Sequence, residues 1–304
     1  MDLSNHRRNN GQSRRLRKGM YILPSVFTTA NLAAGFYAIS QTALGAAHAQ
    51  GLLGAPGVDP LQLAARYFNH AALAIGFAVF FDGMDGAIAR LTNTVSDFGK
   101  ELDSLADMVT FGVAPAILAW TWGFFALPST LNTDLRVKLV QFGAIIVFAF
   151  LTAGACRLAR FNIQLNPQPK NPGRPDRKYF VGMPIPGGAG SLAAVVHLFL
   201  GYPIRAWWGS IVWMVYIFVC SFLMISTWRF WSAKSIDFRS RRASRFFVLF
   251  ALILAAIWFF HRYVLFAMVI TYMLSGVLSR LVYAFRRKDS VPPTAPPREI
   301  PGEL

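Results

Sequence analysis

A chain of 304 residues that is 55% hydrophobic and only 14% charged has too few polar groups to cover a water-soluble domain of its size, so its main solvent is lipid. The net charge of +16 would suit a nucleic-acid surface, but the cations alternate with long apolar stretches. That interleaving fits positive loops held on one side of a membrane and excludes nucleic acid as a partner.

Taken in chain order, residues 1–19 form a basic cytoplasmic arm without a small-residue cleavage site, suited to lying on anionic headgroups. Eight apolar stretches follow, near residues 20–42, 67–81, 108–130, 139–156, 179–204, 206–228, 246–260 and 263–285. About 20 helical residues cross the apolar layer of a bilayer, so the short second stretch is expected to continue as helix through the polar residues after Phe81. Only His261 and Arg262 separate the last two stretches, so residues 246–285 read as a helix pair, joined by a basic loop at 232–245 to a membrane domain at 20–231. Five prolines follow Ser290, and residues 286–304 are expected to be a disordered cytoplasmic tail. With both termini inside, the cytoplasmic face collects the arm and the basic segments 157–178 and 229–245, leaving only Arg66, Arg136, Lys138, Arg205 and Arg262 outside. This makes a multi-pass protein of the cytoplasmic membrane. Cys156 and Cys220 lie in apolar stretches without zinc-type spacing, so neither a disulfide nor a metal role is expected of them.

Acidic residues are scarce and unevenly placed. Six of the 14 (Asp82, Asp85, Asp97, Glu101, Asp103, Asp107) fall in the 26 residues from Asp82 to Asp107. Each ionisable group at membrane depth costs about 2.5–3.5 kcal/mol on insertion scales, so such a cluster pairs, lines water or holds a cation. Asp82 and Asp85 are three apart on one helix face, while Gly99, Asp103 and Asp107 step by four along another. Residues 91–98 suffice for a tight return, so the two helices can run antiparallel with their carboxylate faces meeting, and Gly86 and Gly99 remove side chains where those faces converge. Four carboxylates around one small volume repel unless a divalent cation neutralises them, and an all-oxygen set suits magnesium, manganese or calcium over zinc. A solvated helix end, with Arg90 and Lys100 as ion-pair partners, accounts for Asp97 and Glu101 but leaves the glycine facing each aspartate pair unexplained.

From Asp82 to Asp107 the chain reads D-x-x-D-G-x-x-A-R-x(8)-G-x-x-x-D-x-x-x-D. This string resembles the signature of the CDP-alcohol phosphatidyltransferases at every fixed position: Asp82, Asp85, Gly86, Ala89, Arg90, Gly99, Asp103 and Asp107. The resemblance runs from about Tyr21 to Trp231 and implies an all-α, six-helix membrane core, with the last two spans as an addition. It implies that Asp82, Asp85, Asp103 and Asp107 hold divalent metal, two ions of Mg2+ or Mn2+, against the pyrophosphate of a CDP-linked lipid, with Asp107 as general base. Nucleotide and lipid-substrate contacts are implied at Gly86, Arg90 and Ser96 and, in the first span, at Ser25, Thr28 and Asn31, and a homodimer is implied as well. Ser25 departs from the Asn that usually follows this proline in the family, and Thr28 and Asn31 serve equally well as helix-to-helix hydrogen-bonding groups. Such a cluster suits its chemistry, because metal ions on pyrophosphate oxygens neutralise the charge that develops as the bond breaks, and a guanidinium fork such as Arg90 matches phosphate oxygens.

The aspartate motif leaves the acceptor alcohol open. Residues 106–116, the run Arg157-Leu158-Ala159-Arg160-Phe161-Asn162 and the run Gly182-Met183-Pro184-Ile185-Pro186 resemble the branch of the family that uses serine. The expected reaction therefore takes CDP-diacylglycerol and L-serine, with choline, inositol phosphate and glycerol phosphate as alternative acceptors. A serine pocket needs a fixed cation and some acceptors close to the metals, and Arg157, Arg160 and Asn162 stand at that membrane level, although the arginines fit the role of topology anchors equally. Pro184, Pro186, Gly187, Gly188 and Gly190 make an irregular helix start, tolerated at membrane depth only where protein or a water-filled cavity covers it. Outside this family, a cation transporter would spread its acids near the midplane of an inverted repeat; here they gather at one end of two adjacent spans, and no repeat is visible. His6, His48, His70, His197 and His261 show no ligand spacing and are expected at interfaces or in loops, and Trp207, Trp208, Trp228 and Trp231 read as an aromatic belt.

Overall fold

The computed structural model describes residues 4–54, 57–92, 97–163, 179–231 and 243–286, with only the backbone described at 4–25, 84–92, 97, 179–180, 231, 243–250, 253 and 283–284. The 164–178 basic segment, the 232–242 part of the loop and the 287–304 tail lie outside the described residues.

The chain is helical almost throughout. Helix α1 spans Ser4–Ala49, α2 Pro60–Thr92 and α3 Asp97–Asp107; a π-helical segment, Met108–Val113, then leads into α4, Ala114–Phe124. After these come α5 (Thr133–Asn162), strand β1 (Tyr179–Val181), α6 (Ile185–Leu198), α7 (Trp207–Ile225), strand β2 (Arg229–Trp231) and α8 (Ala243–Arg286). Among the described residues, five helical stretches are long and apolar enough to cross a membrane: Pro60–Gly83, Phe98–Phe124, Thr133–Asn162, Trp207–Ile225 and Leu254–Val282. The protein is therefore an all-α, multi-pass membrane protein.

As expected, α2 runs on past Phe81, and the arm and first apolar stretch form one unbroken helix. The last two expected spans form α8, two helices that meet at a kink at Phe260 (φ −131°, ψ 34°, outside the helical region), immediately before the His261 and Arg262 that divide them in the sequence. The fifth expected span is shorter than its apolar stretch. Gly182 takes φ +78° and Pro184 is extended, so α6 begins only at Ile185.

Small residues bring the helices close. Buried Ala64, Ala71, Ala72, Ala74 and Ala78 lie along α2, and a Cβ at Gly45 of α1 would lie 2.9 Å from the Phe68 ring. At the end remote from the acidic residues, indole and hydroxyl donors are satisfied on backbone carbonyls. Trp122 Nε1 donates to Gly201 O (3.1 Å), Trp213 Nε1 to Ala119 O (2.9 Å) and Ser210 Oγ to Gly123 O (2.7 Å). His197 is not the interfacial side chain expected. It is buried in α6, with Nδ1 2.7 Å from Asn69 Oδ1 and Nε2 2.7 Å from His261 Nδ1, because a buried imidazole must find partners.

Candidate active site

Helices α2 and α3 carry their carboxylates to one place. One side-chain oxygen from each of Asp82, Asp103 and Asp107 lies within 4.8 Å of the other two, with Asp82 and Asp103 half-buried and Asp107 only 9% exposed. Asp82 of α2 thus meets the α3 pair Asp103 and Asp107, whose four-residue spacing sets them on one face. The side chains of Asp85 and Arg90, the surroundings of Gly86, and Ser25 and Ser96 lie outside the described residues.

Helix α1 closes over Asp107. Asn31 Nδ2 donates to Asp107 Oδ1 at 3.2 Å, and Thr110 Oγ1 donates to the main-chain oxygen of Asn31 at 3.0 Å. Asn31 is 2% exposed, and its own Oδ1 has no hydrogen-bond partner among the described residues. Thr28, one turn earlier, is buried as well. The approach of α1 depends on Gly35, where a Cβ would lie 2.9 Å from Thr110 Cα. Of the two readings open for Asn31, the structure displays the helix-to-helix hydrogen bond, aimed at a site carboxylate.

Sequence reasoning missed the π-helical segment that begins at Met108, directly after the last aspartate, and buries Thr110, Phe111 and Gly112. Such wide turns recur at functional sites, yet six residues carry no period by which to recognise one.

Beside the carboxylates opens a cavity of about 620 Å³, lined by Lys100, Glu101, Asp103, Ser104 and Asp107 from α3 and by Leu158, Phe161 and Asn162 from α5. Asn162 Nδ2 donates to Ser104 Oγ (2.9 Å), which donates to Lys100 O (3.0 Å), so α5 is pinned to the rim. Arg160 is half-buried and donates from Nη1 to Ile225 O at 3.0 Å. Arg157 is buried, its side chain hydrogen-bonds no other described residue, and it has Tyr272 of α8 and Arg160 as electrostatic neighbours. Neither arginine is among the residues that line the cavity; Asn162 is.

The irregular stretch before α6 rests on protein, as its depth requires. Gly182 N–H donates to Trp228 O (2.7 Å) and Met183 N–H to Leu223 O (3.0 Å), so the end of α7 and the turn after it satisfy it, while β1 and β2 pair antiparallel with Phe180 opposite Phe230.

Residues 21–211 match the profile of the CDP-alcohol phosphatidyltransferase family. The chain belongs to this family. The matched segment contains the whole string from Asp82 to Asp107 and stops within α7, so α8 lies beyond it. The chain is 32% identical over 222 residues to a protein of Mycobacterium leprae and 28% identical over 217 residues to one of Helicobacter pylori, each covering 71% of this chain. It is 40% identical over 121 residues to one of Saccharomyces cerevisiae, covering 40% of this chain. All three are named CDP-diacylglycerol--serine O-phosphatidyltransferase. The matches span 68% and 75% of the two bacterial proteins but 39% of the yeast one. The family depends generally on divalent metal, and three converging carboxylates with oxygen ligands only are a donor set that fits a hard divalent cation.

Proposed function

We propose that this chain transfers the phosphatidyl group of CDP-diacylglycerol to the hydroxyl of L-serine, giving phosphatidylserine and CMP. The observation that carries this reading is the convergence of Asp82, Asp103 and Asp107 beside an open cavity, within a segment whose relatives are named for that reaction. Asp82, Asp85, Asp103 and Asp107 would hold two ions of Mg2+ or Mn2+, which when bound supply neutralisation of pyrophosphate charge. Asn31 fixes the Asp107 carboxylate through one oxygen and orients it for proton transfer. Asp107 takes the proton of the serine hydroxyl, whose oxygen attacks the lipid-side phosphorus; the bond to the bridging oxygen breaks and CMP leaves. Arg90 engages the nucleotide phosphates together with Ser96 and the α1 residues Ser25, Thr28 and Asn31. Serine enters through the cavity, where Asn162 stands, and Arg157 or Arg160 supplies the cation for its carboxylate. The site faces the cytoplasm, where serine and CMP are soluble, and the enzyme works as a homodimer in the cytoplasmic membrane.

The purified protein in detergent, given CDP-diacylglycerol and radiolabelled serine, choline, inositol phosphate or glycerol phosphate in turn, tests this. Lipid-borne label from serine alone, with one CMP per lipid formed and loss of both on chelation, is the expected result. Label from another alcohol with none from serine would overturn the acceptor, and CMP release with no alcohol at all would overturn the transfer.

A further inference from the structure

A second groove, of about 460 Å³, lies between Ala149 of α5, Phe218 and Phe222 of α7, the Thr227-Trp228 turn and Arg280 of α8. It shares no lining residue with the cavity beside the aspartates but stands at the same end of the bundle. Ile225 at its wall accepts the hydrogen bond from Arg160, and Ser279, next to Arg280, donates to Arg229 O. Arg280 is half-buried, yet it makes no hydrogen bond or ion pair with any other described residue, and neither does the half-buried Thr227 hydroxyl. Ser221 and Ser226 also line it, but their hydroxyls donate to Ile217 O and Leu223 O, and the rest of the groove is apolar and open to the surroundings. Phe218 and Phe222 are exposed, and the Phe222 and Trp228 rings meet edge-on at 5.5 Å.

Among the described residues, a cation without a counter-ion and an idle hydroxyl line one groove walled by phenylalanine, a division like that of a phospholipid. We propose that this groove binds a phospholipid of net negative charge, its phosphate on Arg280 and Thr227 and an acyl chain along Phe218 and Phe222. A soluble anion would leave the apolar wall uncovered, whereas a lipid of the leaflet level with the active site covers it. Helix α8, which lies outside the family match, thereby contributes the charge that selects the lipid. The inference stands whichever alcohol the enzyme uses.

Native mass spectrometry of the full-length protein, titrated with dioleoyl phosphatidylglycerol or dioleoyl phosphatidylcholine, tests it. Wild type should retain the anionic lipid about fivefold more than the zwitterionic one, the worth of one cation at an anionic surface. Arg280→Gln should bring the two lipids to parity, and Arg280→Lys should keep most of the preference. Ala149→Phe, which fills the groove from α5 and leaves Arg280 in place, should remove the preferred lipid. A symmetric size-exclusion peak verifies the fold of each variant. Undiminished preference in Arg280→Gln or in Ala149→Phe would overturn the site, and displacement of the lipid by inorganic phosphate would make it a free-anion site instead.

Discussion

An amide from another helix holds Asp107. Asp82 and Asp103 converge on the same volume but lie more open, which suits ligands of a metal that substrate must also reach. Replacing Asp82 with Asn keeps the shape and removes the charge, so turnover should fall below a tenth of wild type, a barrier increase of at least about 1.4 kcal/mol, while the protein stays monodisperse. An Asp82→Asn enzyme above that level would remove Asp82 from the ligand set. The meeting of Asp82 with Asp103 and Asp107 was legible in the sequence because helical periodicity is written in spacing, four for Asp103 and Asp107. That Asn31 could hydrogen-bond between helices was legible too, but its partner was not, because Asp107 is 76 positions away and only the packing of α1 on the π-helical segment brings them together.

The start of α6 shows how a short element depends on one residue. Gly182 sits at φ +78°, and a Cβ there would lie 2.6 Å from Ser226 O and 2.8 Å from Met224 O, both backbone atoms at the end of α7. Gly182→Ala should therefore cost about 1–3 kcal/mol, read as a lower unfolding temperature in detergent, whereas Gly190→Ala, inside α6 with its nearest neighbour at 3.7 Å, should keep or slightly raise that temperature. Equal behaviour of the two variants would show that the α6–α7 contact contributes little. Prolines and glycines foretold the late start of α6, since they restrict or free the backbone whatever surrounds them. The β1–β2 pair was not foretold, because three residues are too few to show a two-residue period. The kink at Phe260, by contrast, falls where hydropathy registers His261 and Arg262 as a break.

For the whole molecule, the uneven charge of the loops supports the proposed orientation, which the helices alone leave open. Ile163, just beyond α5 at the level of the active site, and Arg205, in the turn before α7, lie at opposite ends of the bundle. In a background with Cys156 and Cys220 replaced, Arg205→Cys should react with an impermeant maleimide in intact spheroplasts, and Ile163→Cys only in inverted vesicles. The reverse pattern would turn the active site outward. The π-helical segment carries a consequence for how such an enzyme can diversify. An α-helix advances about 100° per residue, so turning its carboxylates would also turn every side chain beyond them. The wider winding of Met108–Val113 resets that phase between the Asp103–Asp107 face and the part of α4 where Ala114, Leu118 and Ala119 are buried. Reaction geometry at one end and membrane packing at the other are thus uncoupled within one continuous rod, free to drift separately under selection.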